Sequence, residues 1–254
     1  MTATEHSKEV VGLMRKLRSE YPHALEAAAT PSAVVDPAEP LLGEFVRSFM
    51  IWESTTVKAE AVLKRMADAV VDFNELRVCL PDELARMMGE RYPRVEERAL
   101  RLRAALNEIY HRQHAVTLEP LLTMNKRDAK DYLDSLEGVP RFVSARLLLL
   151  CLGSHAAPTD GRIARRLVEA HLAENGSTPE TAGAALERLV RAGEMIEVYR
   201  LLQAWADDAP LTYSETPAEL PKRRDGKPAA GNGQPEPAKK KPPARGKESS
   251  RKRG

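Results

Sequence analysis

The chain has little cysteine, no long apolar run and almost no net charge. Its two cysteines, Cys79 and Cys151, lie far apart in 254 residues. They cannot build a disulfide framework, nor a four-cysteine metal or iron–sulfur site. The longest uninterrupted apolar stretch, Leu147 to Leu152, is far short of the roughly 20 residues of a membrane span. The N-terminus lacks the basic start and apolar core of a signal peptide, so a cytoplasmic location is expected. No segment alternates apolar and polar residues over a β-branched run, which argues against a sheet.

Net charge is also small, with 39 Lys+Arg against 37 Asp+Glu, yet it is unevenly spread. Residues 215–254 hold 12 basic and 5 acidic residues, seven prolines, five glycines and no aromatic residue. Such a segment cannot bury enough apolar surface to offset its ordering entropy, and a disordered basic tail is expected. Lys239, Lys240 and Lys241 form one of its charge clusters. The other 214 residues keep 27 basic and 32 acidic side chains. A mildly acidic body thus carries a basic tail, an asymmetry that points to an anionic partner.

What is abundant is helical periodicity. Val95, Ala99, Leu102, Leu106 and Ile109 fall on one stripe of a helix, as do Ala59, Val62, Leu63, Met66 and Val70. Val198, Leu201, Leu202 and Trp205 repeat the pattern. Prolines at 22, 31, 37 and 40 interrupt the chain after a first helix of about Ser7 to Glu20. Pro81-Asp82 opens a short helix closed by Gly89, and Tyr92-Pro93 opens the long one. Thr178 before Pro179 reads as an N-cap. About ten helices are expected in residues 1–214.

The stretch 126–152 is the most informative. Asn125 can cap a helix through Leu136. Glu137-Gly138-Val139-Pro140 makes a tight turn, and Arg141-Phe142-Val143-Ser144 leads into a leucine-rich helix. A turn at a helix N-terminus presents backbone N–H groups suited to a phosphate oxygen, although an ordinary αα-hairpin has the same pattern.

Leu136-Glu-Gly-Val-Pro-Arg141 resembles the hairpin of the helix-hairpin-helix DNA glycosylases, the endonuclease III superfamily, usually Leu-Pro-Gly-Val-Gly-Arg. In that family an aspartate opens the next helix. Here Asp160 follows Gly138 by 22 residues, in Pro158-Thr-Asp-Gly-Arg-Ile163. Upstream, Leu13 to Pro22, Phe49 to Lys58 and Tyr92 to His114 resemble the family's earlier segments in order. The resemblance implies an all-α, two-lobed fold. One lobe would run from about Ser54 to Leu136, and the other would join the N-terminal helices to those after Asp160. It also implies base-excision repair on double-stranded DNA by a monomeric protein associated with the nucleoid, with Asp160 as the catalytic carboxylate. Gly138, Val139 and Arg141 would anchor a phosphate, and Arg162, with Arg165 and Arg166, could contact phosphates. Lys239, Lys240 and Lys241 would add a nonspecific DNA tether.

The departures narrow that expectation. Relatives that also cleave the sugar–phosphate backbone carry a lysine four residues after the hairpin's first glycine, where this chain has Phe142. A monofunctional N-glycosylase remains open, as does a catalytically silent relative that recognises altered DNA. Pro140 replaces the second glycine and removes one N–H donor. Residues 195–213 contain no cysteine, so the relatives' iron–sulfur cluster is expected to be absent, with no other metal or cofactor. Phe49 stands where adenine-excising relatives place an acid. Glu53 stands where the family often has a glutamine that fills the gap left by the flipped base, and a surface or capping role suits its charge better. Ser54, Thr55 and Thr56 can cap the next helix, and Trp52 and Trp205 read as packing residues.

Overall fold

A computed structural model describes residues 3–26 and 35–210, and every regular element among them is helical. The expected tail, with Lys239, Lys240 and Lys241, lies outside the described residues. The helices are α1 (Ala3–Glu20), α2 (His23–Glu26), α3 (Pro40–Ile51), α4 (Thr56–Ala69), α5 (Phe73–Val78) and α6 (Pro81–Met88). They continue with α7 (Val95–Gln113), α8 (Lys126–Ser135), α9 (Arg141–Leu150), α10 (Gly161–Glu169), α11 (Pro179–Leu189) and α12 (Met195–Asp207). Two are more than periodicity suggests, because α2 and α5 span barely a turn or two. The long helix starts later than its proline implies, since Arg94 sits in the left-handed region (φ 52°) and delays entry into α7.

The helix starts follow from local chemistry. Thr55, Asp72, Asn125, Asp160 and Thr178 each accept a hydrogen bond from a backbone N–H of the helix that follows. Pro40, Pro81 and Pro179 occupy first-turn positions, where a missing N–H costs nothing. Gly89 closes α6 with φ 89°.

Packing sorts the helices into two groups. Helix α6 lies against α4 and α7, and α5 against α7. In the other group α12 contacts α1, α2 and α10, while α11 contacts α1 and α10. Between them α3 touches α4, α7 and α9, and α9 touches α3, α8 and α12. The first group covers α4 to α7 of the lobe expected over residues 54–136, whereas α8, expected with it, packs mainly on α9. Helix α3 is apolar on most sides because it is central: Leu41, Leu42, Phe45, Val46, Phe49, Met50 and Ile51 are all buried.

The C-terminal end of α3 is held by a buried cation. Arg98 on α7 is 0% exposed. It donates to the carbonyls of Phe49 and Trp52 at the end of α3, and to Pro93 O at 3.0 and 3.3 Å. Its charge sits over the rings of Tyr92 and Trp52, with centroids at 5.0 and 5.4 Å. Burial lowers its pKa to about 10, still well above neutrality, so the guanidinium stays charged. Truncating it would leave three carbonyls without their charged donor, at about 1–3 kcal/mol for each group left unpaired. Arg98→Leu should therefore lower unfolding free energy by at least about 3 kcal/mol in chemical denaturation. A loss below about 1 kcal/mol would contradict this account.

Candidate active site

The chain leaves α3 through Trp52, Glu53 and Ser54 before α4 begins. Glu53 is a non-glycine residue at φ 52°, a conformation that persists only where its surroundings fix it. Two hydrogen bonds do so. The Glu53 N–H donates to Asp160 Oδ2 at 2.9 Å, and Glu53 Oε1 accepts from the Gly161 N–H at 2.8 Å. The turn after α3 and the start of α10 thus cap each other reciprocally. Gly161 permits the approach, since a Cβ there would lie 2.9 Å from Glu53 Oε1.

Asp160 is the N-cap of α10, accepting from the N–H groups of Arg162 and Ile163 at 3.1 and 2.9 Å. Counting Glu53, three backbone donors converge on a carboxylate that is 1% exposed. Burial, and after it the nearby Glu53 charge, push its pKa up to about 6, against the opposing pull of those N–H groups and of the Arg162 charge.

Arg162 was expected to face phosphate, and its side chain points inward instead. It is 6% exposed. Its guanidinium donates to the carbonyls of Ser54 and Ala206 and reaches Asp207 Oδ1 at 3.2 Å. The reason is local: the ends of the α3–α4 turn and of α12 offer acceptors that a buried cation must satisfy. Arg166 is likewise committed, to Glu169 and to Trp205 O, whereas Arg165 is exposed.

The hairpin is built as its sequence suggests. Gly138 adopts φ 79°, and a Cβ there would sit 2.9 Å from the Arg101 carbonyl, so both its conformation and its contact require glycine. Pro140 is the N-cap of α9 without a side-chain acceptor. The Arg141 and Phe142 N–H groups in the first turn therefore have no partner within the helix. Arg141 is exposed and Val139 half-buried. Phe142, where the sequence comparison expects the family's lysine, is 2% exposed, with its ring 6.4 Å from that of Tyr199.

Arg101 brings the two segments together. Its guanidinium donates to Gly138 O at 3.3 Å and stacks 5.7 Å from the Trp52 ring, which Arg94 also covers at 5.1 Å. Both arginines pair with Glu97. Hairpin, Arg101, Trp52, Glu53 and Asp160 therefore form one continuous chain of contacts. Sequence reading assigned Trp52 to packing and did not single out Arg94 or Arg101. Their spacing around Glu97 on α7 was the available signal.

Among the described residues no helix is long and apolar enough to cross a membrane, and no three His, Cys, Asp or Glu side chains gather as a metal site. Cys79 and Cys151 are free.

Two outcomes follow from this geometry. Gly138→Ala should cost about 1–3 kcal/mol through its positive φ and the Arg101 contact, read as a lower thermal midpoint. An unchanged midpoint would show that the turn relaxes freely. For Asp160, the folded chain binds more protons than the unfolded chain between the ordinary carboxylate value of 3.8 and about 6. Its contribution to stability is thus present in acid and is lost as pH rises through that window. Compared with Asp160→Asn, wild type should lose up to roughly 2–3 kcal/mol between pH 4 and 7, and a flat difference would show that Asp160 is not perturbed.

No protein-family model matches the sequence, and no curated protein matches it. Solved structures do. A trapped covalent intermediate of endonuclease III with DNA, in an estranged-adenine complex, matches at TM-score 0.60 and 12% identity, covering 81% of this chain and 86% of that one. A non-covalent endonuclease III–DNA complex matches with the same values. A thermostable thymine-DNA glycosylase matches at TM-score 0.54 and 13% identity, covering 84% and 92%. The described helices have the all-α fold of endonuclease III and of that glycosylase.

Proposed function

We propose that the chain is a base-excision repair protein that binds double-stranded DNA as a monomer and hydrolyses the N-glycosidic bond of an extruded nucleotide. The observation that carries this reading is the contact chain from Gly138 through Arg101 and Trp52 to Glu53 and Asp160. It joins a hairpin suited to phosphate to a buried carboxylate, within a fold shared with DNA glycosylases. Gly138, Val139 and Arg141 would hold a phosphate through the first turn of α9. Asp160 would supply fixed negative charge against the cationic character that the sugar gains as the bond breaks.

One feature favours monofunctional chemistry. Phe142 offers no amine and is packed in the core, so no Schiff base can form at that position. A four-cysteine iron–sulfur cluster does not fit either. The chain has two cysteines, and α12 packs with Val198, Leu201 and Leu202 buried. A catalytically silent DNA-binding protein is the second reading, favoured by the 1% exposure of Asp160. Its carboxylate would meet a sugar only if the turn at 52–55 shifts.

A panel of duplexes carrying uracil, 8-oxoguanine, ethenoadenine or a G·T mismatch separates the two, with alkali added after incubation to cut abasic sites. Alkali-dependent cleavage of at least one duplex is expected, reduced at least about 100-fold in Asp160→Asn. Binding without cleavage of any duplex would establish the silent reading. A borohydride-trapped covalent complex would contradict monofunctional chemistry. Truncation before Glu215 should weaken binding to undamaged duplex and flatten its salt dependence, because fewer counterions are released. An unchanged salt slope would remove Lys239, Lys240 and Lys241 from DNA binding.

A further inference from the structure

The start of α10 holds two carboxylates that the structure treats differently, and the difference bears on the excision chemistry proposed above. Asp160 is enclosed: its oxygens accept from three backbone N–H groups. Glu53 is half-buried. Its Oε1 accepts from the Gly161 N–H, and its Oε2 has no hydrogen-bond partner among the described residues. Glu53 also keeps a left-handed backbone, φ 52°, a strained conformation that the reciprocal hydrogen bonds sustain.

The surroundings supply polar groups with unmet capacity. The Ser54 hydroxyl follows Glu53 directly in a residue that is 0% exposed, and it has no partner among the described residues. Arg162 Nε, on the first turn of α10, is also buried without one. Buried polar groups of this kind are normally satisfied, and water is their usual partner. Before Glu53 in the chain stands Trp52, with Arg94 and Arg101 over its ring. The half-buried Glu53 carboxylate is thus followed in the chain by a buried hydroxyl with unmet capacity and preceded by a tryptophan that two arginines cover.

We propose that Glu53 is a second catalytic residue, the base that takes a proton from the attacking water, while Asp160 is the fixed charge behind it. This rests on the base-excision reading. The water oxygen forms a bond to C1′ of the extruded nucleotide as the C1′–N bond breaks, and the bonding pair leaves with the base. The water's proton passes to Glu53 Oε2, and the departing base takes up a proton from solvent. Nothing is oxidised or reduced. Glycoside hydrolysis commonly divides its labour between two carboxylates in this way, with environment deciding which one acts on the proton.

Glu53→Gln distinguishes a base from a mere helix cap. The amide oxygen still accepts from the Gly161 N–H, so the cap survives while the base is lost. On whichever duplex of the panel wild type cleaves, single-turnover excision by Glu53→Gln should fall at least about 100-fold. Affinity for that duplex should be unchanged or tighter, because a negative charge facing DNA has gone. Added formate should partly restore excision in Glu53→Ala but not in Asp160→Asn. Excision by Glu53→Gln at the wild-type rate would overturn the proposal and leave the base-excision reading standing. Absence of excision by wild type on every duplex would overturn both. If Glu53→Gln lowers the thermal midpoint by more than about 5 °C, Gly161→Ala replaces it. Its Cβ, 2.9 Å from Oε1, pushes the intact carboxylate aside. Slowed excision there supports the proposal and an unchanged rate overturns it.

Discussion

The buried guanidinium of Arg98 organises the rest of the molecule. A helix ends with carbonyls that lack internal partners, and α3 ends in the protein interior, where water does not reach them. Arg98 supplies the donors for Phe49 and Trp52 and ties them to Pro93 at the entrance of α7. Because it engages carbonyls rather than a carboxylate, its charge remains available to its surroundings, and Glu53 is one of the groups that feel it. The end of α3 is thereby fixed, and with it the direction of the next residues. Without that anchor Glu53 would not be held in a left-handed conformation against the start of α10.

A second layer of order depends on the first. Arg162 draws the α3–α4 turn and the end of α12 together through Ser54, Ala206 and Asp207. Asp207 in turn accepts from the Thr56 N–H at 3.0 Å. Along α12, Gln203 and Tyr199 continue the network to Arg146, which is paired with Glu44 on α3. Polar groups this deep are tolerated because most of their atoms find partners, and a network so connected defines one arrangement of the helices. The site is held on two sides by buried arginines, Arg98 and Arg162.

Much of this was legible in the sequence. Asp160, Asn125 and Thr178 announce helix starts by residue type and position, and Gly138 announces its turn. A capping role for Glu53 followed from its charge, and the structure shows the helix that it caps. What stayed hidden are contacts made at long range. Arg98 shares a helix face with Leu102, Ala105 and Ile109, which marks it as inward-facing in retrospect, but the carbonyls it serves lie almost fifty residues earlier. Arg162 looked like a phosphate contact because its short segment is rich in arginine. Its acceptors belong to two distant chain ends that periodicity cannot place. The burial of Asp160 depends on the same closures.

The reciprocal cap joins residues 107 and 108 positions apart. Bringing such distant segments together carries a loop-closure entropy that only a nearly complete structure can offset. Pairings this distant in sequence form slowly, because loop closure has to precede them. A chain emerging from the ribosome with only its first 150 residues cannot assemble the carboxylate pair, and partly folded molecules do not carry it either. The pair therefore reports on the integrity of the whole domain: it exists only in molecules whose two helical groups have already docked.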